Sequence, residues 1–210
     1  MTKHIHAPQI RGPSDHSVRD QVVEAATLHF GHYGYEKTTV SDIAKAIGFS
    51  KAYVYKFFDS KQAIGEVICT NRLVMIMAIV DAAIEEAPTA SEKLKRLFRA
   101  LAEAGSDLFF HDRKLYDIAA VAAREEWLPA RAHDARLRQL IRQILLEGRE
   151  SGEFEGKTPL DEAVQAIYLV MRPYANPVQL QYNLDTASSA AALLSTLLLR
   201  SLSRHSHQSL

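Results

Sequence analysis

The stretch Thr38–Ile64, TTVSDIAKAIGFSKAYVYKFFDSKQAI, holds two short helical patterns separated by one glycine turn. The first pattern opens at Thr39, whose hydroxyl is suited to cap it while Asp42 reaches back in a capping-box arrangement. It ends at Gly48, where a positive φ costs little. The second opens at Ser50 and closes near Phe58. At about 100° per residue, Val54, Phe57 and Phe58 fall on one side, toward Ile43, Ile47 and Phe49. Ala52 and Lys56 occupy the centre of the opposite side, Tyr53 and Tyr55 flank it, and Lys51 projects from the N-terminal end. A helix this short that keeps lysines and tyrosines off its own core presents them to a partner.

Working outward, a helix is expected from about Asp15 to Tyr33, with Val18, Val22, Ala25, Ala26 and Leu28 as its apolar stripe and Gly34 as its stop. Residues 1–14, MTKHIHAPQIRGPS, are polar and broken by two prolines, and read as a mobile tail. Beyond Ser60 the elements lengthen. Helices are expected over roughly Lys61–Glu86, Ala90–Phe110, Asp112–Trp127 and Ala130–Glu150. A further helix has Thr158 as cap and Pro159 at its first position, and meets Pro173 and Pro177. A last one covers about Asp185–Leu202. No alternating strand pattern or βαβ rhythm is present. The chain therefore reads as all-α, with about nine helices: a tail (1–14), a three-helix head (15–60), a larger helical body (61–204) and a short C-terminal tail (205–210).

Composition narrows the role. The chain has 210 residues with 25 Lys+Arg against 25 Asp+Glu, so its formal net charge is zero. Any surface for nucleic acid must then be a local patch. The single cysteine, Cys69, excludes an intramolecular disulfide framework and fits a reducing compartment. No uninterrupted apolar run reaches the roughly 18 residues of a membrane span, and the N-terminus lacks a signal peptide's apolar segment. A cytoplasmic protein without membrane association is the expectation.

A helix carried at an angle to its predecessor by a tight turn is a helix-turn-helix, whose second helix enters the DNA major groove. The residue types suit that task. Ala52 allows close backbone approach, lysine reaches guanine O6 and N7, and tyrosine hydroxyls donate to phosphates or base edges. Lys37, Lys45, Lys51, Lys56 and Lys61 supply the local positive patch. The segment from about Val18 to Ala63 resembles the DNA-binding head of the TetR family of bacterial transcriptional regulators. The resemblance rests on Phe30, Gly34, Tyr35 and Thr39, then on Ile43, Ala44, Gly48, Ser50, Tyr55, Phe58, Ser60 and Lys61, all in register. It implies that Thr39 and Tyr55 hold phosphates and that Lys61 contacts phosphate through its amide or side chain. It further implies that Lys51, Ala52, Tyr53 and Lys56, behind the cap Ser50, meet base edges.

The resemblance also implies a homodimer on a palindromic operator in double-stranded DNA, joined through the last two helices, and a small-molecule effector pocket in the body. The final helix, apolar on nearly every side, fits such a seam as well as a core position. Tyr116, Arg124, Trp127, Tyr168, Met171 and Arg172 are candidates for the pocket wall, though ordinary packing accounts for such residues equally. His29 and His32 lack a third metal ligand, and Cys69 reads as a small buried hydrophobe. No phosphate-binding glycine loop or nucleophile elbow occurs, so no enzyme activity, metal or cofactor is expected. The leading reading is a ligand-released repressor. The alternative is a DNA-bound adaptor whose body docks a protein.

Overall fold

A computed structural model of the chain describes residues 15–203. The two tails, with His4, His6, His205 and His207, lie outside the described residues. The described residues form ten α-helices and one 3₁₀ turn: α1 (Asp15–Tyr33), α2 (Val40–Ala46), α3 (Lys51–Val54), α4 (Lys61–Glu85), α5 (Ala90–His111), α6 (Arg113–Arg124), α7 (Leu128–Glu150), α8 (Leu160–Ala175), α9 (Pro177–Leu180), the 3₁₀ turn Leu184–Thr186, and α10 (Ala187–Leu202). The chain clusters into two compact units that part between Gly65 and Glu66.

In the first unit, α1 buries Val18, Val22, Ala26 and Phe30 completely. Leu28 does not belong to this stripe. It is 68% exposed, because at 100° per residue it faces away from Val22 and Ala26. Phe30 meets the edge of Tyr35 with ring centroids 5.1 Å apart, and the buried Thr38 hydroxyl donates to the Gly34 carbonyl at 2.9 Å. Each buried large apolar side chain contributes about 1.5–3 kcal/mol. That is enough for the unit to have its own core of Phe30, Ile43, Val54, Phe58 and Ile64.

In the second unit, α5, α7, α8 and α10 surround Leu94, Leu97, Phe98, Leu137, Ile141, Ile144 and Ile167. Two contacts pin the end of α7. A Cβ on Gly148 would lie 2.1 Å from the Phe154 ring, so only glycine lets that ring close over the helix. Glu153 accepts from the Ala90 and Ser91 amides, each at 3.0 Å, and so satisfies the free N–H groups that open α5. Its partial burial opposes ionisation, but those hydrogen bonds prevail and hold the carboxyl below its ordinary range.

Several boundaries differ from the sequence reading. Helix α6 stops at Arg124 rather than Trp127, because Glu126 turns the chain with φ 53°. Pro129 does not break a helix; it sits in the first turn of α7, where its missing N–H goes unneeded. Thr158 is not the cap of α8, since its amide is held by the Glu155 carboxylate and Pro159 takes the cap position. Pro173 is accommodated within α8, which runs on to Ala175. The helix missed by the sequence is α9, a single turn that Pro177 begins and the Asn176 side chain caps.

Helix α4, at 25 residues, is the longest of the described helices. Among the described residues it is long and apolar enough in composition to cross a bilayer, despite the charges that interrupt its apolar run. Two of those charges are paired with the body: Arg72 with Asp112 and Asp81 with Arg136, each at 3.5 Å. These half-exposed pairs add at most about 1 kcal/mol each, but they fix which side of α4 faces the other helices.

Candidate functional site

The turn between α2 and α3 is built by local hydrogen bonds. Thr39 and Asp42 form the full capping box: the Thr39 amide donates to the Asp42 carboxylate at 2.9 Å, and the Asp42 amide donates back to the Thr39 hydroxyl at 3.2 Å. The Thr39 hydroxyl and amide together hold the Asp42 carboxyl below its usual range. Gly48 carries φ 72°, and the Ser50 hydroxyl accepts from the Tyr53 amide at 3.1 Å. Regular helix lasts only through Val54, and hydrogen-bonded turns at Phe57 and Phe58 carry the rod onward.

A residue that sequence reasoning passed over fixes its far end. Arg19 donates to the Phe57 carbonyl at 2.9 Å and lies 4.4 Å from the centroid of the Phe58 ring. An exposed-looking arginine on α1 gave no sign of this contact, which depends on the packing of α1 against the end of the rod.

The sequence-designated residues sort into two groups. Lys51, Ala52, Tyr55 and Lys56 are exposed and share this short rod. The Lys51 ammonium lies 5.7 Å from the Tyr55 ring and that of Lys56 lies 5.4 Å from the Tyr53 ring, so both cations rest on aromatic faces. The others are partly committed within the protein. Tyr53 is half-buried, with its ring edge-on to Phe49 at 4.9 Å and to Phe57 at 5.4 Å. The Thr39 and Ser50 hydroxyls serve as caps. Lys61 donates to the Tyr35 carbonyl at 3.0 Å and sits 4.3 Å from its ring. Its ammonium is thereby held at the N-terminus of α4, where the Ser60 hydroxyl accepts from the Ala63 amide at 3.0 Å. His29 stacks against Tyr33 at 5.6 Å, and no group of metal ligands is present among the described residues.

The body holds a cavity of about 200 Å³. Helices α4 and α5 contribute Cys69, Leu73, Ile76, Leu101 and Leu108 to its wall. Glu126, Arg131, His133, Asp134, Arg172 and Asn176 supply the polar part. Of the residues designated from sequence, Tyr116 and Arg172 line it. Tyr116 donates to the Pro177 carbonyl at 2.5 Å, and burial pushes its hydroxyl up to about 12. The other four lie off this wall. Arg124 is exposed beside Glu125 at 3.7 Å. The Trp127 indole donates to Glu125 at 3.0 Å. Tyr168 packs beneath Arg138 at 4.1 Å, and Met171 is buried. His133 and Asn176 escaped notice because neither has a sequence signal; only the convergence of α7 with the α8–α9 corner brings them to the cavity.

This combination, a helix-turn-helix with an exposed lysine–tyrosine rod and a second helical unit with a cavity, is that of a DNA-binding transcriptional regulator. The chain belongs to the TetR family. Residues 22–67 match the model of bacterial regulatory proteins of the tetR family, and residues 90–193 match the tetracyclin repressor-like C-terminal domain.

The biofilm operon icaADBC negative transcriptional regulator IcaR of Staphylococcus aureus is 41% identical over 49 residues, 23% of this chain and 26% of that protein. The match to this curated relative therefore spans about a quarter of its length. The fatty acid degradation regulator FadR of Bacillus halodurans shares the fold at 24% identity, with a TM-score of 0.63 over 91% of this chain and 97% of that one. FadR of Bacillus subtilis, solved with stearoyl-CoA, superposes with a TM-score of 0.59 at 22% identity over 86% and 95% of the two chains.

Proposed function

We propose that this protein is a cytoplasmic, homodimeric repressor that binds a palindromic operator through α3 and is released by a small molecule held in the body cavity. In this reading residues 15–60 form the DNA-binding domain and residues 61–204 form the regulatory and dimerisation domain. The observation that carries it is the α3 rod, whose Lys51, Ala52, Tyr55 and Lys56 are exposed while Val54 and Phe58 anchor it. Lys51 and Lys56 stand where base edges would be met, with Tyr53 shaping the rod from behind. Thr39, Ser50, Tyr55 and Lys61 frame the phosphate contacts.

Dimerisation is supported by α8 and α10. Leu193 and Leu197, four apart on one face of α10, are 71% and 60% exposed, and Leu169 on α8 is 50% exposed. Covering each would contribute up to about 1.5–3 kcal/mol. A two-fold protein reads two half-sites in inverted orientation. The cavity favours a small-molecule effector over a body that docks a protein, and the stearoyl-CoA complex of Bacillus subtilis FadR supports the same choice by analogy of fold.

Selection of bound duplexes from a random pool tests the reading. An enriched inverted repeat is expected, and a pool that stays unenriched at low salt would refute it.

A further inference from the structure

The wall of the body cavity carries information about what it holds, and the inference rests on the reading of that cavity as the effector site. Size comes first. An apolar cavity of about 150 Å³ accommodates benzene, whereas sites for drug-sized ligands run from about 300 to 1,000 Å³. At about 200 Å³ this cavity has room for one ring with a short substituent. A long acyl chain on a nucleotide-bearing carrier exceeds it and would have to extend out through its mouth.

Charge comes next. The wall pairs two arginines, Arg131 and Arg172, with two acids, Glu126 and Asp134, so its formal charge sums to zero. An ionised ligand would lose its hydration without meeting a net opposing charge. Four of the five large aliphatic side chains, Leu73, Ile76, Leu101 and Leu108, come from α4 and α5, while most of the polar groups come from the α6–α7 turn, α7 and the end of α8. A molecule with one greasy part and one polar group matches that division.

Most of the half-buried polar groups on the wall already have partners. Asn176 Oδ1 accepts from the Val178 amide at 3.0 Å, the Tyr116 hydroxyl donates to the Pro177 carbonyl, and Asp134 meets the Tyr168 hydroxyl. His133 is different. Its imidazole is half-buried on the wall and has no hydrogen-bond partner among the described residues. Desolvation lowers its pKa, with Asp134 opposing only in part, so the ring is neutral near pH 7 and offers one donor and one acceptor.

We propose that the cavity takes a compact, uncharged amphiphile of single-ring size, its apolar part against Leu73, Ile76, Leu101 and Leu108 and its hydroxyl or carbonyl hydrogen-bonded to His133. The probe is 4-ethylphenol, titrated calorimetrically into the full-length protein and compared with 4-ethylbenzoate and stearoyl-CoA. One-to-one binding of the phenol is expected, with the benzoate weaker by roughly tenfold and no binding of stearoyl-CoA. His133→Leu should weaken the phenol by roughly tenfold, the worth of one hydrogen bond to a buried group. His133→Gln, which keeps a donor and an acceptor, should stay within about threefold of wild type and serves if the leucine variant does not fold.

The proposal is overturned if the benzoate binds as tightly as the phenol, if stearoyl-CoA binds and the phenol does not, or if both His133 variants bind like wild type. Failure of the underlying reading looks different: the phenol binds through His133 but leaves operator affinity unchanged, which upholds the ligand class and removes the effector role. Release of DNA by the benzoate alone would do the reverse.

Discussion

Replacing Lys51 with alanine should flatten the salt dependence of operator binding by a calculable amount. Four lysines on the head, Lys37, Lys45, Lys51 and Lys56, are exposed, so a dimer presents about eight cations to DNA. Each phosphate neutralised contributes about −0.9 to the slope of log K against log salt, which gives a limit near −7. Lys51→Ala removes two of these cations per dimer, and since a lysine at a base edge also displaces counterions from the groove, the slope should become shallower by up to about 1.8. Between 50 and 200 mM KCl the wild type would then lose up to about twelvefold more affinity than the variant. The assay is fluorescence anisotropy on a selected operator at five or so salt concentrations. Equal slopes for wild type and Lys51→Ala would refute the placement of Lys51 in the groove against base edges. A change of about 0.9 would imply a single head on the DNA.

Leu197→Glu places a charge on the exposed leucine face of α10 and should convert the dimer to a monomer in light scattering, with operator affinity falling at least tenfold; an unchanged mass would move the seam elsewhere. Glu153 has a lowered pKa in the folded protein, so its contribution is present above its ordinary value of 4.5 and is lost as pH falls through the lower folded value. Glu153→Gln should therefore destabilise the body by about 1–2 kcal/mol at pH 7 and by progressively less in acid, as read by urea unfolding across pH; a constant difference would contradict the role given to its carboxylate.

The head was legible because its signals are local. A capping box, a positive-φ glycine and an apolar pair four residues apart each report on neighbours within one turn, and Thr39, Gly48, Val54 and Phe58 stand as those signals require. What escaped was the long-range part. Arg19 reaches Phe57 across 38 residues of sequence, and Lys61 turns back to Tyr35 across 26.

The body shows the same division more sharply. Its helices followed from periodicity, but its cavity depends on which faces of α4 through α9 converge. Residue type pointed to Tyr116 and Arg172, and equally to Trp127 and Met171, which are buried away from the cavity wall. Nothing in the local sequence of α7 singled out His133.

The most direct test of the account attaches an iron chelate to Ala52→Cys and maps cleavage of a selected operator. Native Cys69 will not compete for the label, since it is 4% exposed and burial raises its thiol to about 11. The account predicts cuts inside both half-sites, related by two-fold symmetry, and none from a chelate at Tyr182→Cys on the body, which is 82% exposed. Cleavage from position 182 with none from position 52 would contradict it.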